Sequence, residues 1–477
     1  MVRVLVVPEI YKRNYLSANG NLKDVLSWID DWIERDPTTH VYLMLPRRKD
    51  VEWDIDVFEN SPNVTVIATR RFLHGTKWGS FMSFGSWREE QLKQLDETIS
   101  GNLGYVDAII DQQPTGNVEI FKFWNENCDF RYAKVKPFDY IRCIHDLRVP
   151  YKAHGSLYRN DFDLLGEMLS TAYADGTWFQ AGIDYDEFVQ YGKKHFQFAL
   201  LDEVRDNAIH SLAPIEFEKY DEQYNDAPKY VHVAGSILPK KNRKAVFETC
   251  EFLHQRYDIE TIVTSMATVE DWWHGAEFAE VHEKCPYDTY QSALARGDLV
   301  ISATSHETMG RTIFEQAASG QVLVAWSRPW LYDQVPEDYK FATDSKNALK
   351  KVAAWVIQNW DQAVRENRRM VAHAREVRDK PVVGKKTYDD LARRVEERVD
   401  EYEFHWDEDV LTQAIGYIGD DEFGLDEINS ATRHFTESGK PILDNHFYPL
   451  SDLALALRKL GYEDTGTTLT PTFRPAR

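Results

Sequence analysis

Between Leu299 and Trp326 the chain reads LVISATS, HETMGRTIFEQAASG, QVLVAW. A run of β-branched and apolar residues ends in small polar ones, a glycine-bearing turn follows, then about three helical turns, then Gly320 and a second apolar run. Strand, loop, helix and strand in that order belong to a parallel sheet with helices on its faces. The same alternation recurs along most of the chain. Short apolar runs at 2–7, 41–45, 64–69, 106–111 and 140–146 are separated by helical patterns such as Leu22–Ile33, and further runs follow at 230–234, 260–265 and 281–285.

The junction inside the opening stretch carries chemistry. Glycine at 310 lets backbone approach a ligand, and a helix starting beside it presents unsatisfied amides with the positive end of its dipole behind them, a ready anion site. Glu307 stands just before that start and Glu315 stands inside the helix, with seven residues between them. A largely helical span would set the two carboxylates about 12 Å apart along the axis. That separation suits a nucleoside diphosphate sugar, with one carboxylate on sugar hydroxyls, the other on ribose hydroxyls and the amides on diphosphate. Two glutamates alone would not single out this stretch, because 78 residues are acidic. The whole frame does.

That frame resembles the E-x7-E signature of retaining GT-B glycosyltransferases of the family-4 type, where "S..EGFG...lEAmA.G.PV" is usual. Glu307, Thr308, Met309, Gly310, Glu315 and Gly320 fall on the matching places. A second match lies at HVAGSILPKKNRK, against the family's "vGRL..eKG": Gly235 and Lys241 agree, while Ser236 stands where arginine is usual and Asn242 where glycine is usual. A third is IRCIHDL, similar to the strand end "vHD", which puts His145 on the first domain facing the donor sugar. The resemblance implies an α/β GT-B fold, two Rossmann-like domains facing a cleft. It assigns catalysis to His145, Glu307 and Lys241, and donor binding to Gly235, Thr308, Met309, Gly310 and Glu315; Ser236, Lys240, Arg243 and Arg311 beside them are further donor-binding candidates, with Lys240 or Arg243 standing in for the missing arginine. The donor it implies is a UDP- or GDP-sugar, used as a substrate with no further cofactor.

Length divides the chain accordingly. Its 477 residues exceed one ordinary core, and the polar stretch Asp221–Pro228 marks a change of composition. The division is 1–220 for the acceptor domain, 221–403 for the nucleotide-sugar domain with crossing helices, and 404–477 for a small extra domain. A 43% hydrophobic content supports large cores. No apolar run approaches a membrane span, the start MVRVLVV reads as a strand, and Cys128, Cys143, Cys250 and Cys285 lack metal or disulfide spacing. A cytoplasmic protein is expected, in a host cytoplasm if the chain is phage-encoded. The D-x-D strings at Asp54 with Asp56 and Asp184 with Asp186 do not follow strand ends, so no metal is expected.

Two segments bear on the acceptor. Arg70–Arg88 holds four basic residues, six aromatics counting His74, and three glycines. Arg71, Lys77, Trp78, Trp87 and Arg88 there would stack on bases or sugars and hold phosphate; aromatics folded onto the core are the competing reading. The tail reads as three helices and a β-ribbon turning near Gly466, like a winged helix, with Arg458 and Lys459 on the third helix as candidate DNA contacts. A packing module is its alternative. Net charge of −22 opposes indiscriminate nucleic-acid binding, leaving only local basic surfaces. Three functions stand: transfer to a hydroxymethylated base in DNA, as by a phage-like DNA glycosyltransferase; transfer to a small molecule or polysaccharide; or a non-catalytic nucleotide-sugar-binding regulator.

Overall fold

A computed structural model of the chain describes residues 2–10, 15–69, 95, 97–99, 104–112, 139–144, 171–195, 198–235, 241–266, 268–305, 307, 309–419, 421–445, 450–466 and 470–476. The first sheet contains β1 (Arg3–Val7), β2 (His40–Pro46), β3 (Val64–Thr69), β4 (Ala108–Asp111), β5 (Asp139–Ile144), β6 (Gly176–Phe179) and β7 (Ala208–Ile209). They lie in the order β3-β2-β1-β4-β5-β6-β7 and every pairing is parallel. All five residues of β1 are buried, with Val4 and Val6 in one apolar cluster and Leu5 and Val7 in another. A strand covered on both faces needs a continuous apolar run, and RVLVV supplies one.

The second sheet contains β8 (Tyr230–Ala234), β9 (Glu260–Ser265), β10 (Ala279–Glu283), β11 (Leu299–Ser302), β12 (Val322–Trp326) and β13 (Ala342–Thr343). Its order is β10-β9-β8-β11-β12-β13, again all parallel. Both domains are therefore Rossmann-like. Each sheet reverses its winding once, between β1 and β4 and between β8 and β11, and open α/β sheets bind ligands at such points beyond the carboxyl ends of the strands.

Between β6 and β7 the chain forms the helices Gly182–His195 and Phe198–Asp206. Phe188 of the first and Leu201 and Val204 of the second pack with Phe179 and Ile144, so burial of a helical stripe decides the conformation there.

The crossing back is made by the helix Lys380–Glu401, which lies along the first-domain helix Gly20–Arg35. Trp28, Trp32 and Trp178 meet beneath it with ring centroids 5.8 to 6.4 Å apart. Their indole N–H groups are satisfied by Leu212 O, Thr387 Oγ1 and Asp390 Oδ2 at 2.8 to 2.9 Å, as buried tryptophans require. Gly384 permits the close approach, since a Cβ there would stand 2.1 Å from Asp31 Oδ2. No helix among the described residues is long and apolar enough to cross a membrane.

The tail forms helices Glu408–Ile418, Leu425–Thr432 and Leu450–Lys459, with β14 (Phe423–Gly424), β15 (Tyr462–Asp464) and β16 (Thr472–Pro475) in an antiparallel sheet ordered β14-β16-β15. It is docked, not tethered. Arg3 of β1 is fully buried, donates to Asp464 Oδ2 at 2.7 Å and to Gly466 O at 3.0 Å, and lies over the Tyr105 ring. This corrects one sequence expectation. Arg458 is not presented to a partner: its guanidinium donates to Asp107 at 2.6 Å and to Tyr105 Oη at 2.8 Å, with the side chain 9% exposed. Lys459 is exposed and donates to Asp400 O at 2.7 Å, and Arg474 of the hairpin pairs with Glu463.

Candidate functional site

The second domain gathers its candidate residues at the carboxyl edge of its sheet, where β8 and β11 part. β8 ends at Ala234, and Gly235 turns the chain with φ +103°. A Cβ on Gly235 would stand 3.5 Å from Thr312 Oγ1, so the turn lies against the first turn of the helix Arg311–Ala318. Asn242 takes a left-handed conformation, φ 45°, and donates through Nδ2 to Ala303 O at 2.8 Å. That bond ties the loop after β8 to the end of β11. Asparagine tolerates left-handed backbone, which explains how it stands at the family's glycine position.

The tie sets Lys241 and Glu307 face to face, and they form an ion pair with side chains 16% and 14% exposed. Beside them Gly310 caps the helix with φ +72°, where a Cβ would meet Trp330 Cζ3 at 3.0 Å. Glycine is needed there for both conformation and space. A cation, a carboxylate and a helix start are thus collected at the sheet's winding reversal. Such a group can hold an anion and a hydroxylated neighbour together.

Glu315 lies one turn into that helix and accepts a hydrogen bond from Tyr290 Oη at 2.8 Å. Burial, with the nearby Glu315 charge, pushes the phenol of Tyr220, from the segment entering the second domain, well up. Lys23, from the first domain, has its ammonium 5.5 Å from the centre of the Tyr287 ring, and burial lowers its pKa against the opposing pull of Glu315.

Other candidates are placed differently. Arg243 is 7% exposed and turned inward, with Nη1 3.4 Å from Gly235 O and Nε 3.5 Å from Glu270, so it shapes the loop from behind and does not project toward a ligand. Met309 is 4% exposed within the domain's apolar core and anchors the turn. Arg311 reaches across to Asp24 of the first domain. His145, Ser236, Lys240 and Thr308 lie outside the described residues, as do Arg71, Lys77, Trp78, Trp87 and Arg88. Asp54 and Asp56 accept hydrogen bonds from Ser17 N and Phe58 N at 2.9 and 2.8 Å, and Asp184 is buried at the start of its helix. Sequence reasoning missed Lys23, Asp24, Tyr220 and Tyr290. Nothing local distinguishes them from ordinary helix and linker residues.

Behind the site, β8 carries a buried histidine. His232 contacts Thr264 Oγ1 at 2.8 Å and Gln321 Nε2 at 3.3 Å, while Gln316 of the site helix donates to its carbonyl at 2.8 Å. Burial pushes the imidazole down to about 3 from 6.5, against the Gln321 bond. The folded form stays neutral where the unfolded chain takes a proton. Stability is therefore full above the unfolded value and falls as pH drops toward the folded one, by about 1.4 kcal/mol per pH unit. Urea midpoints measured between about pH 7 and about pH 4 should fall more steeply for the native chain than for His232→Gln; parallel profiles would contradict this origin.

No family model and no curated protein sequence matches the chain. Solved structures do. Sucrose-phosphate synthase from Thermosynechococcus elongatus superposes with a TM-score of 0.58 at 12% identity, over 83% of this chain and 100% of that one. HepE from Anabaena, solved with UDP-glucose, gives 0.55 at 11% identity over 82% and 100%. WaaG, a glycosyltransferase involved in lipopolysaccharide biosynthesis, gives 0.56 at 12% identity over 82% and 99%. These likenesses establish the GT-B fold for this chain.

Proposed function

We propose that this protein is a glycosyltransferase that moves a sugar from a nucleoside diphosphate sugar to an acceptor hydroxyl, with retention at the anomeric carbon. The observation that carries the reading is the Lys241–Glu307 pair beside the Gly310 helix start, at the sheet's winding reversal. With donor bound, Lys241 and the helix amides hold the diphosphate, Glu307 takes sugar hydroxyls and Glu315 takes ribose hydroxyls. HepE, of the same fold, was solved with UDP-glucose, which makes a uridine donor the first to test.

Retention then proceeds by departure of the diphosphate and entry of the acceptor hydroxyl oxygen on the same face, the hydroxyl proton passing to the leaving phosphate. The enzyme's main contribution is to stabilise charge developing on the leaving phosphate. Fixed cationic and amide groups do this without a divalent ion. Transfer should therefore persist in EDTA; complete loss restored by Mg²⁺ or Mn²⁺ would contradict the assignment.

The acceptor reading shifts toward a small molecule or polysaccharide. The order of helix, strand, two helices and hairpin in the tail, with a short additional helical turn at Ile442–Asn445, supports the winged-helix reading. Its third helix is spent on docking: Leu450–Leu457 are all buried and Arg458 is paired inside the protein. A DNA acceptor would have to be held by the first domain around 70–88. Plain DNA, hydroxymethylated DNA and oligosaccharides offered with labelled donor, scored by product mass, test the choice. Labelled hydroxymethylated DNA would restore the DNA reading, and labelled oligosaccharide would support the one proposed.

A further inference from the structure

Glu315 is held from outside its own helix. Tyr290, in the first turn of the helix Tyr287–Arg296 that leads into β11, donates its phenol to Glu315 Oε2 at 2.8 Å. The Tyr290 ring lies against the buried His232 ring of β8, with centroids 5.8 Å apart. Gln321 Nε2 donates to Leu294 O of the tyrosine's helix at 3.0 Å, and Gln316, next to Glu315, donates to His232 O at 2.8 Å. Tyrosine, histidine and the glutamate's helix are thus tied into one unit. Burial, and then the Glu315 charge beside it, push the Tyr290 phenol well above its ordinary value, so a proton is always there to donate.

We infer that Tyr290 is a positioning residue of the donor site: it fixes the rotation of the Glu315 carboxylate so that the lone pairs left over meet a ribose diol, and in doing so selects ribonucleoside over 2′-deoxyribonucleoside diphosphate donors. The inference rests on the assignment of Glu315 to ribose. An ionised carboxylate offers about four acceptor positions, and the terminal torsion of a glutamate is broad when nothing restrains it. A donor spent on Oε2 pins that torsion while leaving acceptor capacity for the ligand. Because the group is aimed before the nucleotide arrives, binding has less side-chain ordering to overcome. A ribose 2′-hydroxyl then gains a full hydrogen bond to charge, and a ligand without that hydroxyl leaves the carboxylate underpaired.

Calorimetric titration of the full-length protein with UDP, GDP and their 2′-deoxy counterparts tests this. The native protein should bind the better ribonucleotide about tenfold or more tightly than its 2′-deoxy form, and Tyr290→Phe should bring the two within about threefold by weakening the ribonucleotide alone. Phenylalanine keeps the ring against His232, and unchanged 2′-deoxy binding shows that the variant's site is folded. With the corresponding nucleotide sugar, KM should rise in Tyr290→Phe by the same factor while kcat holds, since the ribose is remote from the bond that breaks. A native protein without the preference, or a Tyr290→Phe variant that keeps it or loses both forms equally, would overturn the positioning role. The preference surviving in Glu315→Ala would overturn the ribose assignment of Glu315 with it, and a native protein that binds none of these nucleotides would overturn the donor reading itself.

Discussion

Replacing Lys241 by alanine should lower transfer by about 10²- to 10³-fold, the usual effect of removing one preorganised charge-stabilising donor from a reacting group. The Nζ faces Glu307 at the edge of the sheet, outside the apolar core, so the fold should survive. Melting temperature and donor turnover measured on the same preparation separate the two effects. Lys241→Ala with native turnover would remove the cation from the mechanism; inactive protein that has also lost its melting transition would place Lys241 in the folding of the loop.

The second large effect concerns the tail. Asp464→Ala should destabilise the protein by about 3 to 5 kcal/mol, because it leaves the Arg3 guanidinium buried without its counter-charge. Both side chains are fully buried, and Tyr105 Oη also donates to the Asp464 carboxylate, at 2.7 Å. Arg3 lies in β1, beside the winding reversal of the first sheet, so the loss should appear as unfolding of the whole first domain. Truncation after Phe404 should behave more severely, exposing Tyr105 by removing Leu453, Leu457 and Phe473, with which it shares an apolar cluster. Chemical denaturation of Asp464→Ala reads the effect directly. A variant within about 0.5 kcal/mol of the native chain would show that the tail is an appendage.

These two effects also divide what was legible in the sequence from what was not. Strands such as VRVLVV and LVIS and the helix around 22–33 follow from local periodicity, and the structure places strands or helices at each. The Gly310 turn was legible because left-handed backbone against Trp330 leaves little choice of residue. Glu307 and Lys241 were found through spacing and resemblance, and the Asn242 bond to Ala303 is what brings them together. Asp24 with Arg311, and Arg458 with Asp107, are separated by hundreds of residues. No local pattern distinguishes such a basic side chain from one facing solvent, which is why Arg458 read as a DNA contact and Arg311 as a donor ligand. Arg243 misled for a related reason: a Lys-Lys-Asn-Arg run reads as a cationic cluster, yet its last member starts a helix and turns inward toward Gly235 and Glu270.

The account depends most on the cleft holding a nucleotide sugar and breaking its glycosidic bond to diphosphate. The native protein and Lys241→Ala should be incubated with UDP-glucose and a panel of other UDP- and GDP-sugars, and the nucleoside diphosphate released should be measured by mass spectrometry. The account predicts release from at least one donor by the native protein, with retained configuration in the sugar product and about 10²-fold or greater loss in the variant. Nucleotide sugar bound but never cleaved, or release equal in the two proteins, would contradict it.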